Sequence, residues 1–246
     1  LERLLAALDD PRTSLGVRRH LPRTISRFRT RGAAAALVAR LLREPDGTTE
    51  FKILRALGRM RADQPFLQID GEPIRAYVRR SLEDATRYAA LGTRLAAVRD
   101  ASPGSELLQE LLGEKQRHAI ERGFRALGIL HPRDDMRSVH DGLTGTDEGR
   151  HAAAREILDE VVAVELRVPL LAVVEGRAEG PQFPTHEDLI RALLTDPSDS
   201  LRCIAAHHVA ERNLVALRSE LVRLRPITAS ELVIHAFDQA IESLDA

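Results

Sequence analysis

Tryptophan is absent from this 246-residue chain, cysteine occurs once, and aromatic residues amount to only 3%. The lone Cys203 excludes an internal disulfide and any Cys-rich zinc site, and a reducing compartment is the simplest setting for it. Two Tyr and six Phe leave a core of Leu, Ala, Val and Ile. Such residues suit close helix packing better than a β-sandwich. Strand-like alternation of β-branched and aromatic residues is missing throughout, so no strand is expected. No apolar run approaches the roughly 18 residues needed to cross a bilayer. The longest, 33–39 and 168–174, have the length of core helices. A signal-peptide pattern is also missing, and the chain starts at Leu1 without an initiator Met. A piece of a longer protein is therefore expected.

The motifs of common enzymes are absent too. There is no nucleophile elbow around a Ser, no metalloprotease His pair and no kinase-like motif. Residues 142–149 are glycine-rich but lack a Lys and a preceding strand, so they form no phosphate loop. A non-enzymatic protein is expected, with no catalytic residue, no cofactor, no metal and no small-molecule substrate. Net charge is −1, so no global field steers the chain toward nucleic acid or membrane.

What is present is helical punctuation. Hydrophobic residues make up 43% and charged residues 30%, as in a folded globular chain. Three segments share one plan. An apolar stretch (4–8, 37–42 or 189–194) meets a Pro-containing turn, Asp9-Asp10-Pro11, Glu44-Pro45-Asp46 or Thr195-Asp196-Pro197-Ser198-Asp199. A second helix is then expected from about Ser14, Thr48 or Ser200. A fourth segment repeats the plan without Pro, through 139–143, Gly145-Thr146-Asp147 and a helix from Glu148. Pro closes the first helix, and Asp, Ser or Thr offers an acceptor to the free amides of the second. Each pair carries an apolar stripe such as Leu201, Ile204, Ala205 and Val209, which one hairpin cannot bury unless neighbours stack on it.

The expected fold is therefore all-α: an α-α superhelix, a solenoid of stacked antiparallel helix pairs. An elongated pair lies in its middle, at about 73–98 and 106–130. Pro22 and Pro169 should kink or split their helices. Residues 176–184 hold two Gly and two Pro. The expected organisation is helical repeats over 1–176, a linker at 177–184, and C-terminal helix pairs over 185–246 packing on the same solenoid.

Leu193-Leu194-Thr195-Asp196-Pro197-Ser198-Asp199-Ser200-Leu201-Arg202 followed by Ala205-Ala206 resembles the HEAT repeat's pattern of Asp-Pro, Val-Arg and Ala-Ala. Three further stretches, 18–27 (Arg18-Arg19-His20-Leu21-Pro22 onward), 53–61 and 121–132, resemble motifs of certain bacterial membrane proteins. Those proteins join a part similar to ATP/ADP carriers or major facilitators to a soluble HEAT domain. The resemblance implies a cytoplasmic, regulatory or scaffold domain beside a transporter-like protein, at the inner face of a bacterial membrane. Its partner would be another protein or the covalently linked membrane part. It supplies no catalytic residues.

One cluster suggests a binding surface. Residues 11–43 hold nine Arg and no acidic residue. Arg18, Arg19, Arg23 and Arg27 are the candidate contacts, because Arg19, Arg23 and Arg27 recur every four residues and climb one side of a helix. They would meet an anionic partner: lipid headgroups, an acidic protein surface, or nucleic acid phosphates. A freestanding solenoid binding nucleic acid through these arginines is the alternative reading, and a solvated face paired with acids of the next repeat is the bland one. Residues 141–165 are conversely acidic, with seven acids against Arg150 and Arg155. Cys203, His207 and His208 share a helix, as do Glu114, His118 and Glu121, but neither set makes a complete metal site. Asp134-Asp135 reads as a helix cap.

Overall fold

The computed structural model describes residues 1–245. Helix accounts for 77% of the described residues, and no strand occurs among them. The first helices are α1 (Glu2–Asp9), α2 (Leu15–Arg18), α3 (Leu21–Ile25), α4 (Arg31–Leu41) and α5 (Gly47–Asp63). Then come α6 (Gly71–Val98) and α7 (Pro103–Leu130), followed by α8 (Met136–Thr144), α9 (Glu148–Val161) and α10 (Val164–Val174). The last are α11 (His186–Leu194), α12 (Asp199–Glu211), α13 (Arg218–Leu224) and α14 (Glu231–Asp245).

The punctuation works mostly as its chemistry dictates. Pro11 follows the end of α1, and the Ser14 hydroxyl accepts from Val17 N at the start of α2. Asp46 accepts from Thr49 N at 2.8 Å and opens α5 one residue earlier than expected. Asp147 accepts from Arg150 N at 3.0 Å to open α9. Pro22 does split its helix: α2 stops at Arg18, and Pro22 sits in the first turn of α3, where no amide hydrogen is required.

Three details differ from expectation. Pro169 lies inside α10, which runs unbroken through it, because the chain breaks earlier, at Val162 and Ala163. The long helices start at Gly71 and Pro103 rather than near Pro73 and Glu106, since proline is well tolerated in a first helical turn. Ser198 precedes α12 without capping it; its hydroxyl pairs with Ser200 Oγ at 2.9 Å, while Asp196 accepts from Ser198 N at 2.7 Å.

The chain divides into two units. The first comprises Leu1–Asp84 and His118–Ala178, and the second Ala85–Arg117 with the chain from Glu179 onward. Each long helix thus contributes one part of its length to each unit. In the first unit α3 and α4 both pack on α5, α1 packs on α3, α8 on α9, and α9 on α10. Gly123 of α7 faces Ser81 and Leu82 of α6. Ile25, Leu37, Leu41, Ile53, Leu57 and Tyr77 are among its fully buried side chains.

In the second unit α12 packs on both α11 and α14, and α13 on α14. Their core unites Leu91, Leu95, Leu108 and Leu112 of the long helices with Leu193, Leu201, Val209 and Phe237. The segment before α11 is tied down as well. Arg94 donates to the carbonyls of Phe183 and Pro184, each at 2.9 Å.

Candidate anion-binding face

Packing decides which side of α3 and α5 meets water. On α3, Leu21, Pro22 and Ile25 are buried, so Arg23 and the following Arg27 face outward. On α5, Thr49, Glu50, Ile53, Leu54, Ala56, Leu57 and Met60 are buried. Helical periodicity then leaves Lys52, Arg55 and Arg59 on the opposite side, one turn apart. Because α3 lies on α5, the two rows meet.

They meet around two hollows. Arg19, His20, Arg23, Lys52, Arg55 and Arg59 line one of about 300 Å³. Arg23, Ser26, Arg27, Arg29, Arg59 and Asp63 line the other, of about 190 Å³. Arg23 and Arg59 belong to both. A larger hollow of about 640 Å³ adjoins through Arg55 and Arg59, but Glu121, Asp134, Asp135 and Asp141 give it mixed charge.

The acids nearest this face are committed elsewhere. Asp46 holds Arg19 through both oxygens, at 2.7 and 3.0 Å. Burial alone would raise the Asp46 carboxyl, but hydrogen bonds from Arg19 and Thr49 override it and hold it at about 2. Asp63 pairs with Arg29 at 2.8 Å. Glu44 is buried against Arg40 at 2.7 Å. Glu50 turns inward to Arg80 at 2.6 Å, with Arg122 at 3.7 Å. Among the described residues, no carboxylate forms an ion pair with Arg23, Arg27, Lys52, Arg55 or Arg59. The cost is visible at Arg59. Partial burial, then Arg55, Arg23 and Arg27, push its guanidinium below the usual value, and Asp63 opposes them.

Of the four arginines expected from sequence, the fold brings Arg19, Arg23 and Arg27 to this face. Arg19 arrives already neutralised by Asp46. Arg18 lines neither hollow, and its Nε is buried without a hydrogen-bond partner. Lys52, Arg55 and Arg59 went unrecognised in the sequence, although their spacing of three and four residues was readable there.

The other candidates have structural places. Asp135 caps α8, accepting from Arg137 N and Ser138 N, both at 3.2 Å. Gly142 lies where a Cβ would come within 3.0 Å of Ala154 and the Arg150 carbonyl, so its role is close helix approach. Glu121 binds Arg125 at 2.6 Å. Cys203 packs against the core of the second unit, and burial raises its thiol, whereas His207 is exposed. Among the described residues, no group of three or more His, Cys, Asp and Glu is arranged to hold a metal ion.

His208 has a different environment. It is fully buried, and its Nε2 lies 3.2 Å from Nε2 of His186, with Asp100, Glu211 and Ser102 around it. One of those two nitrogens must donate and the other accept, so the accepting ring must be neutral and the two rings cannot both be protonated. Burial first, then the neighbouring His186, lowers the His208 imidazole; burial likewise lowers His186.

Compared with known proteins, the chain matches no family profile, no curated protein and no solved structure. Among the described residues, no helix is long and apolar enough to cross a membrane.

Proposed function

We propose that this chain is a non-enzymatic, HEAT-like interaction domain that meets an anionic partner through the basic face of α3 and α5. One observation carries the reading: five clustered cations, Arg23, Arg27, Lys52, Arg55 and Arg59, have been left without carboxylate partners while nearby acids are tied to other arginines. A folded chain gains nothing from holding like charges together. An approaching anion removes that repulsion, which gives differential binding without rearrangement.

The HEAT-like stacking is part of the same proposal. It is supported by hairpins α4–α5, α8–α9 and α11–α12, and by contacts between second helices of successive hairpins, α3 with α5 and α12 with α14. This is how amphipathic pairs bury stripes that one hairpin leaves open. The cellular setting, a domain beside a transporter-like membrane protein on its cytoplasmic side, rests on the sequence motifs at 18–27, 53–61 and 121–132. A freestanding solenoid gripping nucleic acid would use the same face.

The test is a binding panel at low ionic strength: a poly-glutamate peptide, duplex DNA and anionic vesicles, each against wild type and Arg23→Glu/Arg55→Glu/Arg59→Glu. At least one probe should bind wild type, weaken steeply with salt, and lose about tenfold or more in the triple variant. Arg12→Glu, which lies elsewhere and pairs with Asp10, should bind as wild type does. Equal binding by wild type and the triple variant, or no binding to any probe, removes the proposal.

A further inference from the structure

The two hollows on this face share a wall, and that sharing restricts what fits them. Arg23 and Arg59 line both, so an anion in one hollow and an anion in the other would lie on opposite sides of the same two guanidiniums. Acidic side chains on a peptide sit on separate stems and spread apart. Phosphoryl groups joined through a common oxygen, or set on neighbouring positions of one small ring, stay close enough. We infer that the paired hollows form a two-lobed site for a compact ligand with two or more phosphoryl groups, gripped between Arg23 and Arg59. This inference rests on the anionic-face reading and narrows it to phosphoryl chemistry.

The side chains fit that chemistry. Arginine presents a planar fork of donors matched to two oxygens of one phosphate, whereas lysine offers a point charge. Four of the five uncancelled cations are arginines, and Lys52 adds its charge to the larger lobe. No carboxylate lines that lobe. The smaller lobe is lined by Asp63 as well, but Arg29 pairs with that carboxylate at 2.8 Å, so Arg23, Arg27 and Arg59 remain the uncancelled charges there. Ser26 donates its hydroxyl to the Arg23 carbonyl at 2.8 Å, which fixes the turn beneath the lobe. At roughly 30 Å³ per water, even the 190 Å³ lobe admits a tetrahedral oxyanion with solvent to spare. The depressed basicity of Arg59 agrees with charge that awaits a counterion.

Two sources could supply such a ligand, a free polyphosphorylated compound or a phosphorylated lipid headgroup, and one experiment separates them. The full chain is titrated calorimetrically at matched low ionic strength with sodium tripolyphosphate, citrate and a poly-glutamate peptide. Tripolyphosphate should bind about tenfold tighter than citrate. Arg23→Gln/Arg59→Gln should lose about tenfold or more of that affinity, while Arg12→Gln retains it. Arg59→Lys, which keeps the charge and removes the fork, should fall between wild type and the double variant. Phosphatidylcholine vesicles carrying phosphatidylinositol bisphosphate are then added. Vesicle binding displaced by tripolyphosphate assigns the site to a headgroup, and absence of vesicle binding assigns it to a free compound; either supports the site. Poly-glutamate binding without tripolyphosphate binding overturns the inference and leaves the anionic face standing. Binding of neither removes the inference, and the anionic face falls with it if duplex DNA and anionic vesicles also fail to bind. Tripolyphosphate binding undiminished in the double variant also overturns the inference, because the ligand would then sit elsewhere.

Discussion

At Arg59 the folded chain works against itself. Partial burial and the like-charged neighbours Arg55, Arg23 and Arg27 weigh against its charge, and Asp63 opposes them. Arg59→Gln should therefore raise stability at low salt by up to about 0.5 kcal/mol, the scale of exposed charge interactions. The gain should disappear at high salt as screening removes the repulsion. Thermal melts of both proteins across a salt series check this, and destabilisation at low salt would contradict it.

Asp46 is the reverse case, a carboxylate with two tasks. It caps α5 through Thr49 N and binds Arg19. Asp46→Ala should cost about 1–2 kcal/mol in denaturant titrations, while Asp46→Asn, which keeps the cap, should cost less. Its folded pKa of about 2 lies below the ordinary 3.8, so its contribution is present above 3.8 and is lost as pH falls through 2.

For His208 the pH dependence has the same sign but begins at a higher pH. Its folded pKa is lowered from 6.5, so below that pH the unfolded chain takes up a proton that the folded chain refuses. Stability should fall as pH drops below 6.5. His186 acts in the same direction, and Asp100, Glu211, Glu187, Arg212 and Arg94 are the charged groups that bear on the pair. His208→Gln should flatten the dependence of melting temperature on pH relative to wild type. An unchanged slope would show that the pair does not control it.

At the scale of the element, ends and approaches dominate. Arg99 closes α6 with φ of +55°, a left-handed conformation that costs a side-chain-bearing residue about 1 kcal/mol. Arg99→Gly should stabilise by up to about 0.5 kcal/mol, the relief being partly offset by a freer unfolded chain. Gly180 carries the opposite constraint. A Cβ there would lie 2.6 Å from the Ala90 Cβ and 3.0 Å from the Thr86 carbonyl, both on α6. Gly180→Ala should cost about 1–3 kcal/mol by pushing the segment off that helix. Equilibrium unfolding of the two variants should show opposite shifts in midpoint.

Element ends were also what the sequence made most legible. Pro11, Asp46, Asp135 and Asp147 act within a few residues of themselves, so their chemistry is local. The basic face was half legible for the same reason. Residues 11–43 contain no acid and attract notice as a run, whereas α5 mixes Glu50 and Asp63 with its cations. Only folding turns Glu50 inward to Arg80 and ties Asp63 to Arg29, which leaves Lys52, Arg55 and Arg59 uncancelled. The His186–His208 contact was not legible, because it joins positions 22 residues apart and lies beside the distant Asp100. Pro169 shows the limit of a local rule: breaks at Val162 and Ala163 left it inside a short helix that continues past it.

At the scale of the whole chain, composition conceals the local charge. A net charge of −1 predicts no attraction to polyanions, yet uncancelled cations concentrate on α3 and α5. Any anionic partner should therefore bind in a strongly salt-dependent way despite near-neutrality overall.

Arginine-selective dicarbonyl labelling, read residue by residue with and without a bound polyanion such as tripolyphosphate, is the most direct measurement of that surface. Arg23, Arg27, Arg55 and Arg59 should lose reactivity together, while the exposed Arg12, Arg133 and Arg150 keep theirs. Protection falling on the latter set, or on none of these residues while the polyanion is bound, would contradict a partner seated on α3 and α5.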